Sequence, residues 1–272
     1  MCYFIGQKVS MADVLRLEGL EKSIEDYDFL NRDLQIGFDY NLSAVLKPVK
    51  GRPDFDIVQM EWGFIPDRWF GKPLDTRDKV FAFRNGYKDA SGKFIPGITT
   101  LNAMAEELVQ PGKIYKESAL SRRCLVLASG FFEWRHVHRI NKRTGQPNKT
   151  SDKYPYYICL KDKPYFFMAG IWKPWTDVNT GEYVETFAVV TTAANKLMEQ
   201  VHNSKKRMPT ILKDELAYEW MFGNLDEKRV KEIACTQLPA EEMEACPIAK
   251  DFREVLEPAK PFAYEDLPAL AV

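Results

Sequence analysis

At 272 residues, with 45% hydrophobic, 13% aromatic and 28% charged side chains, the chain has the balance of an ordinary globular protein, and its length fits one large α+β domain or two small ones. The formal net charge of −1 hides an asymmetry: 14 acidic and 6 basic residues lie from Asp214 onward, against 25 and 32 before it, so any polyanion-binding face belongs to the first three-quarters. Five scattered cysteines with no C-x-x-C pair argue against a disulfide framework or zinc knuckle, and neither a signal peptide nor an apolar run of membrane-spanning length is visible, so a cytoplasmic protein is expected.

Along the chain, Ser10 is placed to cap a first helix that carries Val14, Leu15 and Leu17 and runs to about Lys22. Residues 57–65, 123–134, 156–160, 165–172 and 185–192 are rich in β-branched and aromatic residues and read as strands, with 161–164 as a tight connection between two of them. Residues 71–97 and 135–153 read as surface excursions. The second carries Arg135, Arg139, Lys142, Arg143, Lys149 and Lys153 against a single acid, Asp152, and a basic loop of this kind can track phosphates. Helical patterns follow at 194–202, Asp214–Phe222 and 226–235. Strands early and helices late predict α+β, not alternating βαβ units; no internal repeat argues for an array.

Phosphate-binding loops, dinucleotide fingerprints and the common hydrolase motifs are absent, so no nucleotide cofactor is expected. Of three histidines, His136 and His138 share one side of an extended segment and His202 stands apart, which gives no third ligand for a metal site. Cys2 has chemistry of its own. Removal of Met1 would expose an amine and a thiol on adjacent carbons, a pair that condenses with an aldehyde to an imine and then closes to a thiazolidine. The α-amine, with a pKa of about 7.7–8.0, is a better imine former near neutrality than a lysine amine near about 10.4.

Several separated motifs accompany Cys2. They are Glu61-Trp62-Gly63-Phe64-Ile65-Pro66-Asp67-Arg68-Trp69, then Asn102-Ala103 with Glu106, then Arg122-Arg123-Cys124 through Ser129-Gly130-Phe131-Phe132-Glu133-Trp134. Further on come Pro155-Tyr156-Tyr157, Ala169-Gly170-Ile171-Trp172, the TFAVVTTAAN run from Thr186 to Asn195, His202-Asn203 and Arg207-Met208-Pro209. In this order they make the sequence resemble the SRAP family, the SOS response-associated peptidases or abasic-site processing proteins. The resemblance implies a single α+β domain with a mixed or antiparallel, barrel-like sheet and peripheral helices, with 1–235 as its core and 236–272 as a C-terminal strand or tail completing it.

It also implies autocatalytic removal of Met1 and a covalent thiazolidine between Cys2 and the ring-opened sugar of an abasic site in single-stranded DNA, which protects the lesion during the DNA damage response. Asn102 would orient Cys2, while Glu133 and His202 would handle protons. Trp62 and Trp134 would bracket neighbouring bases, and Thr192, Lys205, Lys206 and Arg207 would complete the DNA-binding face. The chain is expected to act as a monomer, without a membrane, metal or cofactor, and to associate with the nucleoid when bound to DNA. Two departures stand out: Tyr3-Phe4 replaces the family's common Gly-Arg, and Met104 replaces its Arg after Asn-Ala. Compensating charge is expected from Lys205, Lys206 and the 135–153 loop. The alternatives are a cysteine peptidase acting in trans through Cys2 or Cys124, with His202 as base, and a non-covalent module that binds single-stranded DNA.

Overall fold

In the computed structural model, which describes residues 2–9, 14–25 and 27–271, the segment expected to be the first helix is a β-hairpin. After β1 (Phe4–Lys8), β2 (Val14–Leu17) pairs antiparallel with β3 (Leu20–Ser23). Glu18 and Gly19 between them take positive φ of 44° and 77°, the backbone of a two-residue hairpin turn. Leu15 and Leu17 point inward around an exposed Arg16, so the apolar spacing that fits a helical face here serves a strand of period two. Ser10, the expected cap, lies outside the described residues.

β4 (Asn31–Ile36), β5 (Leu42–Pro48) and β6 (Phe55–Trp62) follow. The first excursion is more ordered than its composition predicts. It opens within a small hairpin of β7 (Arg68–Trp69), just before it, and β8 (Lys72–Pro73), and it holds the helix α1 (Arg77–Asn85) and a second hairpin, β9 (Tyr87–Lys88) and β10 (Phe94–Ile95). Thr76 caps α1 by accepting from the Lys79 amide, and Leu74, Val80 and Phe83 bury themselves against Ile65 and Trp175.

Then come β11 (Asn102–Met104), α2 (Lys116–Ser121), β12 (Arg123–Ala128), β13 (Gly130–Val137), β14 (Asp152–Leu160), β15 (Phe166–Thr176) and β16 (Tyr183–Ala193). Strands β16, β6, β5, β12 and β15 pair in that order and β15 pairs back to β16, which closes a five-stranded barrel. β11 adds to it in parallel, beside β16. A second sheet runs β19-β14-β13-β1-β4, with β19 (Met243–Pro247) at its edge. The expected α+β class with a barrel-like sheet is therefore observed.

The apolar run at 123–134 is two strands, not one. Its first half belongs to the barrel and its second to the other sheet; the crossing falls at Ser129, whose N–H donates to the Gly6 carbonyl at 2.8 Å. Likewise 161–164 joins β14 and β15, but these strands part into different sheets and do not pair. Alternate residues of β12 explain its unbroken apolar character: Leu125 and Leu127 enter one core, Cys124, Val126 and Ala128 another. Gln7, fully buried, ties the sheets together. Its amide donates to the Ala44 and Leu127 carbonyls and accepts from the Ala44 N–H.

Helices cover the barrel. α3 (Met198–Val201) is shorter than the predicted 194–202, because β16 runs on to Ala193 and the Asn195 side chain starts the helix by accepting from the Met198 N–H. β17 (Arg207–Pro209) and β18 (Ile211–Leu212) precede α4 (Asp214–Phe222) and α5 (Glu227–Ala234), both close to expectation. Buried Arg123 donates to the Ala119 and Leu120 carbonyls at the end of α2, and to the Trp220 and Gly223 carbonyls at the end of α4. A cation there satisfies carbonyls that a helix leaves unpaired. Arg123→Met is expected to lower stability by about 3 kcal/mol, read as a lower urea midpoint at unchanged slope; an unaltered midpoint would refute the assignment.

Candidate active site

The antiparallel register that sets Ile5 opposite Phe131 carries the start of the chain alongside β13. Cys2 is fully buried there among apolar side chains, and its thiol donates to the Phe4 carbonyl at 3.8 Å. Burial pushes that thiol well above its ordinary pKa, and the neighbouring Glu133 carboxylate pushes it further. Asn102, at the first position of β11, donates its side-chain amide to the Cys2 carbonyl at 2.8 Å. Because β11 is pinned to the barrel with Asn102 opposite Val189, the barrel itself fixes where Cys2 sits.

Glu133 lies within β13, opposite Tyr156, and is 4% exposed. Burial raises its carboxyl to about 7. His202 follows α3, and its Nε2 stands 3.7 Å from Glu133 Oε2. Its Nδ1 lies 2.8 Å from the Arg207 carbonyl; a carbonyl only accepts, so Nδ1 carries the hydrogen and Nε2 turns its lone pair toward the side of Glu133. Burial pulls His202 down to about 4, which keeps the ring neutral at physiological pH. Asn203 clamps the pair in register, accepting from the His136 N–H at 2.9 Å and donating to the His136 carbonyl at 2.7 Å.

Glu133 and His202 open onto a cleft of about 280 Å³ whose walls include Tyr3, Trp134, His136, Lys153 and Lys205. Trp134 is half-buried and held edge-on by Phe4, 5.0 Å between centroids, with Phe252 beneath. Phe4 thus packs where the family commonly carries arginine. Lys205 and Lys206 are exposed, and Met104 is 39% exposed. Tyr3 and His136 carry no sequence signal of their own as cleft residues, and Lys153 only that of the basic loop; strand register brings all three to the cleft.

Three expected DNA contacts are corrected by the packing. Trp62 is 1% exposed, lies parallel to Phe187 at 6.1 Å and donates its indole N–H to the Leu101 carbonyl, so it is part of the core and offers no ring face to a base. Thr192 is 2% exposed and its hydroxyl donates to the Cys235 carbonyl. Arg207 is committed inward, to Glu106 at 2.6 Å and to the Thr191 carbonyl. In the basic loop, Arg135 donates to the Pro268 carbonyl, while Arg139 pairs with Asp152 and, at 2.7 Å, with Asp266, so the C-terminal segment draws both arginines back. Cys124 is fully buried in β12 with its sulfur against Gly170, and the charges beside it are Glu185 and Lys47, not Glu133. Among the described residues no helix is long and apolar enough to cross a membrane.

Asn102 holds the Cys2 backbone, and beside it a protonatable carboxyl and a neutral imidazole open onto one cleft, an arrangement able to give and take protons. The chain belongs to the SRAP (SOS response associated peptidase) family, whose model matches residues 1–255. It is 29% identical over 189 residues to abasic site processing protein YoqW of Bacillus subtilis (strain 168), covering 70% of this chain and 67% of that one. Over 190 residues it is 26% identical to abasic site processing protein YedK of Escherichia coli (strain K12), at 70% and 66% coverage. The match to abasic site processing protein HMCES of Xenopus tropicalis, 27% identical, spans 63% of this chain and 47% of that longer protein. Among solved structures, a protein from Bacteroides thetaiotaomicron shares the fold with a TM-score of 0.69 at 23% identity, covering 96% of this chain and all of that one.

Proposed function

We propose that this protein captures abasic sites in single-stranded DNA by a covalent thiazolidine on Cys2, after hydrolysis of the Met1–Cys2 bond. The observation that carries the reading is the convergence on one residue: the Asn102 amide on the Cys2 carbonyl, and Glu133 close enough to raise the Cys2 thiol. The freed α-amine attacks the sugar aldehyde carbon, and the carbinolamine oxygen leaves as water with a proton from Glu133. Sulfur then adds to the imine carbon, and the thiol proton returns through the carboxylate. One C–N and one C–S bond form and one water is lost.

A carboxyl titrating near 7 can both give and take a proton at physiological pH. Neutral His202 adds a second acceptor within the same cleft, suited to the sugar hydroxyl released on ring opening. Lys153 and Lys205 on the cleft wall would meet phosphates, and Trp134 a neighbouring base. The names of the similar proteins agree with an abasic substrate. The test is intact mass after incubation with a single-stranded oligonucleotide bearing one abasic site. The expected species is the chain without Met1 plus the oligonucleotide, less one water. A chain that keeps Met1, or one that binds without any mass gain, would leave only the non-covalent reading.

A further inference from the structure

Phe38 presents a large apolar ring, 47% exposed, beside the catalytic cleft. Its centroid is 4.7 Å from that of Tyr3, which lines the cleft. The pair is rigidly placed. Phe38 sits in a single 3-10 turn, Gly37–Asp39, whose Gly37 N–H donates to the Tyr3 carbonyl at 2.8 Å. Gly37 is pressed so closely against its neighbours that an added Cβ would meet Leu101 at 2.9 Å and the Tyr3 carbonyl at 3.2 Å. Leu101 directly precedes Asn102, so the turn, the asparagine and Cys2 share one frame. Past Phe38 lies a second cleft of about 440 Å³, lined by Tyr40, Phe81, Arg84 and Asn85. Its Tyr40 ring is backed by the Arg84 guanidinium at 3.9 Å, and Phe81 is 68% exposed.

We propose that Tyr3 and Phe38 form a stacking ledge for an unpaired base adjacent to the lesion, and that the cleft beyond Phe38 receives the next nucleotide of the same strand. The inference deepens the proposed function and rests on it for the position of the lesion. Continuity selects the occupant: Tyr3 lines the first cleft, Phe38 lines the second, and the two rings touch, so a strand whose sugar reaches Cys2 leaves across this pair. An exposed aromatic pair between two clefts suits splayed bases, which a single strand supplies and a continuous duplex does not. The cations of the second cleft are already paired, Arg84 with Glu61 at 2.7 Å and Arg77 with Glu61 at 2.8 Å, so stacking, not phosphate neutralisation, provides the attraction.

The test uses fluorescence anisotropy with a single-stranded oligonucleotide carrying one unreactive tetrahydrofuran lesion. The base on one or the other side is present or replaced by a second tetrahydrofuran. For the parent protein, removing the base on one particular side is expected to weaken binding about 5- to 100-fold. Phe38→Ala should show the same loss with that base present and no further loss without it, Phe38→Trp should restore binding, and the salt slope should be unchanged throughout. Phe38→Ala binding every oligonucleotide as the parent does would overturn the ledge, as would a loss that comes with a smaller salt slope. Adduct mass on reactive abasic DNA is read separately: with no adduct formed but the stacking pattern intact, the covalent reading falls and the ledge stands.

Discussion

Cys2→Ala is expected to yield no stable adduct with abasic single-stranded DNA, while borohydride still traps an imine on its α-amine. On the proposed mechanism, the two groups of the aminothiol have separable tasks. The amine condenses with the aldehyde reversibly, and alanine keeps that amine once Met1 is gone. Only the sulfur converts the imine into a ring that resists hydrolysis, because it attacks from the adjacent carbon at a high effective concentration. The thiol is buried and held in its protonated form, so it stays unreactive toward general electrophiles until an imine stands beside it. The check is gel and mass analysis with and without reductant. Stable adduct from Cys2→Ala without reductant would place the bond on another residue.

Glu133→Gln is expected to slow adduct formation by about 10²- to 10⁴-fold, the usual contribution of a positioned acid–base group. The parent rate should bend near pH 7, where Glu133 titrates, whereas the glutamine variant should follow only the ionisation of the amine at about 7.7–8.0. Stability should respond in the opposite sense. The folded-state pKa of Glu133 is raised from 4.5 to about 7, so the contribution of the neutral carboxyl is complete below 4.5 and is lost as pH rises through about 7. The pKa of His202 is lowered from 6.5 to about 4, so its contribution is present above 6.5 and lost as pH falls toward 4. Glu133→Gln should therefore gain on the parent in urea unfolding as pH rises from 5 to 8. Equal stability across that range would mean that Glu133 titrates as an ordinary surface carboxyl.

Where sequence pattern and fold agree, the reason is local. The segment Asp214–Phe222 and residues 227–234 carry helical spacing opened by polar residues, and both fold as helices. At residues 14–23 the same apolar spacing fits two periods, and the positive φ of Gly19 decides for the hairpin. The unbroken run at 123–134 hides the change of sheet at Ser129, since strands buried on both faces lack the alternation that marks a boundary. At the site, the order of motifs pointed to Cys2, Asn102, Glu133 and His202, and the fold gathers them from positions up to 200 residues apart. Their surroundings were less legible. Whether Trp62, Thr192 or Arg207 faces solvent depends on partners such as Leu101, Cys235 and Glu106, contacts that no local pattern encodes. Tyr3 and Phe38 meet only because β1 and the turn after β4 lie side by side.

The grip of Asn102 falls on the carbonyl of residue 2, downstream of the bond that joins it to residue 1. Cutting that bond would release one end of the cysteine while leaving its other end moored. On the proposed reading, loss of a single residue would arm the chain while the backbone of residue 2 stays where the barrel has already set it.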